Sequence, residues 1–180
     1  LVRVGPTGWS MKEWVGRVYP AKTPADAMLE AYGRQFATVE LNTTYYRLPD
    51  VETLARWRDA VPDDFRFAPK FPKDVTEGDP AAGVALARTF SERLKTLGNK
   101  LGRAFVQLPQ GWGPGQASRV AELLAAIDVP VAVEFRHAGW FRQRALTGTA
   151  FELLSGAGAA AVVTDTAGRR DVVHASLPAP

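Results

Sequence analysis

The feature that most constrains this chain is a regular beat. Six short runs rich in β-branched and aromatic residues are separated by longer segments with helical periodicity. The runs span residues 2–7, 38–46, 65–71, 103–108, 131–136 and 160–165, so their starts lie 27 to 38 residues apart. That spacing is close to the ~30 residues of a strand followed by a helix. The connections carry matching signals. Asp50 is placed to cap a helix in which Leu54, Trp57 and Val61 recur at three- and four-residue steps. Leu86, Phe90, Leu94 and Leu97 repeat the pattern ahead of Gly98, a residue suited to a helix stop. Val120, Leu123, Leu124 and Ile127 form another stripe, and Pro24 is suited to opening the helix that carries Met28, Tyr32 and Phe36. Unbroken alternation of this kind predicts an α/β fold, a parallel sheet covered by helices.

Two architectures fit such a beat. A doubly wound nucleotide-binding sheet should place a glycine-rich turn after its first strand. Gly5-Pro6-Thr7-Gly8-Trp9-Ser10 lacks the G-x-G-x-x-G spacing, and no Walker A loop occurs. The strands instead run into polar residues at their ends, which favours a TIM-type (β/α) barrel with its chemistry at the C-terminal rim. The expected organisation is a single barrel domain over residues 1–180, showing six of eight strand–helix units. Six parallel strands would leave two open edges. The natural protein is therefore expected to extend past Pro180 by about two further units of ~30 residues, and the chain ending there to aggregate or dimerise.

Composition removes several classes of function. Cysteine is absent, which excludes disulfides, thiolate metal sites and cysteine nucleophiles. Two histidines, His137 and His174, argue against a histidine-rich metal centre. A divalent ion held by Glu40, Glu134 and Asp165 with waters stays open. The net charge of +3 is dispersed, so support for a nucleic-acid partner is weak, although a pI near 9.4 leaves that reading open. No stretch reaches ~18 apolar residues and no charged-then-apolar leader is visible, so the expectation is a soluble, cytoplasmic chain without a membrane partner.

The polar groups at the strand ends are the candidates for chemistry. They are Glu40 and Asn42 on the second run, Lys70 after the third, Gln107 on the fourth, Glu134, Arg136 and His137 on the fifth, and Asp165 on the sixth. Two carboxylates in unlike environments can divide into an acid and a base. A lysine can stabilise developing negative charge, and an arginine offers a planar fork to a carboxylate or phosphate. Each charge also has a structural reading as half of an ion pair. Trp9, Trp112 and Trp140 either stack on a ligand or pack across the barrel mouth. Arg169-Arg170-Asp171 either holds a phosphate or forms a solvated turn.

Taken in order, these residues resemble a known family. Gly8-Trp9-Ser10 with Trp14 and Tyr19-Pro20, then Thr38-Val39-Glu40-Leu41-Asn42-Thr43-Thr44-Tyr45-Tyr46, look like the opening of the YecE-like family, domain of unknown function 72. The likeness continues through Trp57, Phe65-Arg66-Phe67-Ala68-Pro69-Lys70, Gln107-Leu108-Pro109, Val133-Glu134-Phe135-Arg136-His137, Trp140-Phe141 and Thr164-Asp165. The resemblance implies a TIM-type barrel with no established activity. It also implies a rim site, with Glu40, Lys70, Glu134 and Asp165 as catalytic candidates. Trp9, Ser10, Asn42, Tyr46, Gln107, Arg136, His137 and Trp140 are the corresponding substrate-binding candidates. Three functions follow as expectations. The first is an acid–base enzyme acting on a small sugar, polyol or sugar phosphate, so that its ligand is a small anion or polyol. The second is a nucleic-acid-binding or repair-nuclease-like barrel. The third is a barrel that binds without catalysis.

Overall fold

A computed structural model of the chain describes residues 2–166 and 169–170. The chain divides into two compact units. One comprises Leu1–Pro72 with Glu92–Ala104, and the other Lys73–Ser91 with Phe105–Pro180. The described residues form an α/β fold of helices and open, not closed, sheets.

In the first unit, a 3-10 turn at Ala25–Ala27 follows Pro24 and leads into α1, Met28–Gly33. Strand β1, Thr38–Leu41, comes next, then α2, Thr43–Tyr46, and α3, Val51–Asp59. Strand β2, Arg66–Pro69, pairs with β1 in parallel, Thr38 opposite Arg66 through Leu41 opposite Pro69. Single parallel bridges continue the order on both sides, Thr7 with Glu40 and Phe67 with Leu101. Strand alternation turns Val39 and Leu41 into the core, where Phe67 and Leu54 are buried as well, while Thr38 and Glu40 are half-buried. The Tyr32 hydroxyl ties the entering chain to β1 by donating to the Thr38 carbonyl at 2.8 Å and the Pro6 carbonyl at 3.3 Å. Gly5 passes so close to β1 that a Cβ there would stand 1.9 Å from the Thr38 oxygen, which only glycine permits.

Helix α4, Pro80–Leu94, runs from the second unit into residues of the first, and Gly98 then takes a left-handed φ of 55°. In the second unit β3, Ala104–Gln107, and β4, Val131–Glu134, flank α5, Ala117–Ala125. A short antiparallel pair follows, β5, Phe141–Arg142, with β6, Ala145–Leu146. Helix α6, Gly148–Gly156, leads to β7, Ala160–Ala161. The sheet order is β3-β4-β7, with β4 and β7 parallel. The apolar stripe of α5 is buried at Val120, Leu123 and Leu124, in keeping with its periodicity. The described residues end with an antiparallel pair, β8, Asp165–Thr166, with β9, Arg169–Arg170. Asp171 and His174 lie outside the described residues.

All six expected strands are shorter than the sequence indicates, three of them by the most. The run at 38–46 ends as a strand at Leu41, because Thr44 folds back and donates its hydroxyl to the carbonyls of Leu41, 2.7 Å, and Lys70, 2.6 Å. This contact overrides the extended preference of Thr43-Thr44-Tyr45-Tyr46 and makes those residues helical. Asn42, Thr44 and Tyr46 therefore do not share a strand face with Glu40. The run at 2–7 contributes one bridge, at Thr7, and leaves Val2 and Val4 exposed. The run at 160–165 pairs with β4 through Ala160 and Ala161, and the Val162 amide also donates to the Val133 carbonyl at 2.9 Å. Thr44 is 1% exposed, so its valine variant keeps the shape and removes only the hydroxyl. Thr44→Val is expected to cost about 1–3 kcal/mol in urea unfolding. A loss below ~0.5 kcal/mol, the range of an inert surface change, would refute this role.

Among the described residues no helix is long and apolar enough to cross a membrane.

Candidate functional site

The first unit places a cavity at the C-terminal ends of β1 and of the segment that enters beside it. After Thr7 the chain turns at Gly8, whose φ is +76°, with the Gly8 amide donating to the Glu40 carbonyl at 3.1 Å. The turn delivers Trp9 and Ser10. The Tyr19 hydroxyl fixes the Trp9 backbone by donating to its carbonyl at 2.6 Å, and burial pushes that phenol up to about 12, so it stays a donor at neutral pH. The Trp9 ring meets Trp57 of α3 edge to face, 5.2 Å between centroids. Arg47, Leu48 and Pro49 lead to Asp50, which caps α3 by accepting from the Thr53 amide at 2.7 Å. Bonds from Thr53 hold the Asp50 carboxyl below its ordinary range, so it is ionised at neutral pH. The resulting cavity measures about 750 Å³, and Trp9, Ser10, Asn42, Arg47, Asp50 and Trp57 are among its lining residues.

Of the first-unit candidates, Trp9, Ser10 and Asn42 line this cavity. Lys70 stands at the same end of the strand pair, its amide bonded to the Leu41 carbonyl and its ammonium 4.2 Å above the Tyr45 ring. Glu40 lies one residue before the end of β1 and is half-buried, and Tyr46 is exposed.

In the second unit the strand ends gather a polar cluster. The Gln107 amide, at the end of β3, donates to Glu134 Oε2 at 2.7 Å. Glu134 ends β4, and its other oxygen, Oε1, lies 3.9 Å from Arg136 Nε. The two side chains sit on one side of the chain, as their separation by two residues predicts. The Glu134 side chain is 13% exposed and that of Arg136 39%, so the carboxylate is sheltered while the guanidinium reaches solvent. His137 accepts the Gly139 amide at Nδ1, 2.9 Å, and so begins the turn Ala138–Trp140. Trp140 is fully buried and donates its indole N–H to the Trp112 carbonyl at 2.6 Å. Asp165 is exposed on β8, with its backbone paired to Arg170.

Among the described residues no three acidic or histidine side chains assemble into a metal-binding group. Arg47, Asp50, Thr53 and Trp57 were not among the sequence-derived site residues. They belong to the approach to α3 and to its first turns, and the signal available was the cap at Asp50, which marks a helix start rather than a site.

The chain matches the family model described as a protein of unknown function, DUF72, over residues 3–179. It is 32% identical over 144 residues to the UPF0759 protein YecE of Escherichia coli (strain K12), covering 78% of this chain and 50% of that protein. It is 28% identical over 152 residues to the UPF0759 protein YunF of Bacillus subtilis (strain 168), covering 78% and 52%. The chain thus spans about half the length of these curated relatives. Among solved structures, a DUF72 family protein from Thermotoga maritima MSB8 superposes with a TM-score of 0.70 at 29% identity, over 91% of this chain and 64% of that one. A DUF72 family protein from Enterococcus faecalis V583 gives a TM-score of 0.76 over 92% of this chain and 61% of that one, and at 22% identity it speaks to the fold alone.

Proposed function

This chain belongs to the DUF72 family of proteins of unknown function, and from that footing we propose that it performs acid–base chemistry on a small sugar, polyol or sugar phosphate at the C-terminal ends of the strands of a (β/α) barrel. The order of strands supports the barrel. Neighbours run Thr7, β1, β2, Leu101 in the first unit, all parallel, and β3, β4, β7 in the second, where β4 and β7 are parallel, each in chain order. A doubly wound sheet would reverse its order at a switch point.

The observation that carries the chemistry is the arrangement around Glu134. A carboxylate sheltered from solvent and held at one oxygen by a neutral amide is positioned to take up and return a proton. Arg136, partly exposed beside it, offers its planar fork to a phosphate or carboxylate of the ligand. On the sequence argument alone, Asp165 of the same unit supplies a further carboxylate for the reaction.

The test has two parts. Thermal unfolding with phosphate, citrate and sugar phosphates is expected to show stabilisation, about 2.7 kcal/mol at ~100 times Kd. Arg136→Gln should abolish that stabilisation. Hydrogen–deuterium exchange into sugar phosphates in heavy water, followed by NMR, is expected to fall by about 10²–10⁴ in Glu134→Gln. Absence of both stabilisation and exchange across the panel would overturn the proposal.

A further inference from the structure

We infer that the first-unit cavity is a binding site for a neutral ring bearing several hydroxyl groups, a pyranose or a cyclic polyol, with Asn42 as its recognition residue. This inference is independent of the acid–base reading, because every lining residue of the cavity belongs to the first unit.

Four observations converge on that class of ligand. The volume, about 750 Å³, falls within the roughly 300–1,000 Å³ of small-molecule sites. Its wall carries two indoles, Trp9 and Trp57, together with Met11 and Leu41. Such a wall accepts the C–H face of a ring, and aromatic side chains are well suited to a partner with one apolar side. The third observation is Asn42 itself. It stands at the N-cap of α2, where an asparagine ordinarily accepts a backbone amide, but it makes no side-chain cap bond. Its φ of −75° and ψ of −18° are helical rather than extended, unlike the usual N-cap backbone. The Asn42 Oδ1 is left buried without a hydrogen-bond partner among the described residues. A buried polar atom of this kind calls for a partner, which a water or a hydroxyl of a bound ligand supplies once the amide turns toward the cavity. A hydroxyl is the group that suits an amide best, because it donates to the oxygen and accepts from the nitrogen.

The fourth observation is charge. Arg47 and Asp50 are the charged lining residues, one of each sign, and Asp50 is ionised and engaged in its cap. The formal charges of the lining cancel. A phosphorylated ligand gains from Arg47 but meets the Asp50 carboxylate, so a neutral ligand is favoured.

Isothermal titration calorimetry of the full chain with D-glucose, myo-inositol, sorbitol and glucose 6-phosphate tests the inference. A ring compound is expected to bind saturably, more tightly than open-chain sorbitol and no less tightly than glucose 6-phosphate. Its affinity should not change with salt, since no charge is paired. Asn42→Ala should weaken binding by about tenfold or more. The same variant should melt, without ligand, at or above the wild-type temperature, because it removes an unsatisfied polar group. A purely structural asparagine would instead lower the melting temperature. Trp57→Leu, which leaves Asn42 in place, should weaken ring binding as well. Glu134→Gln should leave binding intact, so loss of the acid–base activity and loss of this site are read separately. The inference is overturned if no ring saturates, if only glucose 6-phosphate binds, or if Asn42→Ala binds as tightly as the wild type.

Discussion

Replacing Trp140 with alanine is expected to lower the unfolding free energy by about 3–5 kcal/mol, the range for truncating a buried large aromatic. The side chain is 0% exposed, so the whole indole leaves a cavity when it is removed. Its ring centroid lies 5.0 Å from that of Phe135, and that contact is lost as well. The indole N–H donates to the Trp112 carbonyl at 2.6 Å, which ties the turn after β4 to the loop after β3. Trp112 is itself held, with the Arg119 guanidinium 4.0 Å above its ring. Trp140→Phe separates the two contributions. It retains most of the packing but leaves the Trp112 carbonyl unpaired, and should cost about 1–3 kcal/mol. Urea unfolding with an unchanged m-value is the measurement. If Trp140→Ala costs less than ~1 kcal/mol, the indole is not part of the core. The sequence left open whether this tryptophan stacks on a ligand or packs. Its complete burial and its backbone partner give it a packing role within its own unit.

The same contrast explains which parts of the molecule could be read before the structure. Helix signals depend on local spacing, so Asp50 at the start of α3 and the stripe Val120, Leu123, Leu124 appear where periodicity places them. Glu134 and Arg136 were also legible, because two-residue separation brings side chains to one side of an extended chain whatever surrounds it. The helical turn Thr43–Tyr46 was not. Its residues are good strand formers, and of the two carbonyls that the Thr44 hydroxyl meets, that of Lys70 lies 26 positions away, beyond the reach of local sequence. The first-unit cavity was half legible. Trp9, Ser10 and Asn42 stand in recognisable motifs, whereas Arg47 and Asp50 join the lining through the path of the chain between α2 and α3. A sequence states which residues are polar, but the accounting of their partners belongs to the fold. The unpaired Asn42 oxygen is invisible until that accounting is complete.

Lys100 shows the reverse case, a charged residue whose partners make it structural. Lys100→Met is expected to destabilise the first unit by roughly 3 kcal/mol, although the thioether chain fills a similar space. The ammonium is buried with its residue 8% exposed, and it donates to the carbonyls of Arg58, 2.8 Å, and Val61, 2.7 Å. These lie at and just beyond the C-terminal end of α3, where carbonyls lack helical partners and the helix dipole favours a cation. Asp63 stands 3.3 Å from the same nitrogen, but its side chain is 94% exposed. An ion pair with so exposed a carboxylate contributes little, so Asp63→Asn should cost under ~1 kcal/mol. The two variants therefore decide between mechanisms. If carbonyl capping dominates, Lys100→Met is the severe change and Asp63→Asn is nearly silent in urea unfolding. Equal losses would mean that the Coulomb attraction to Asp63 holds the lysine in place and that the helix end tolerates unpaired carbonyls. The distances favour the first outcome, because both carbonyl contacts are shorter than the ionic one and the Val61 bond is buried.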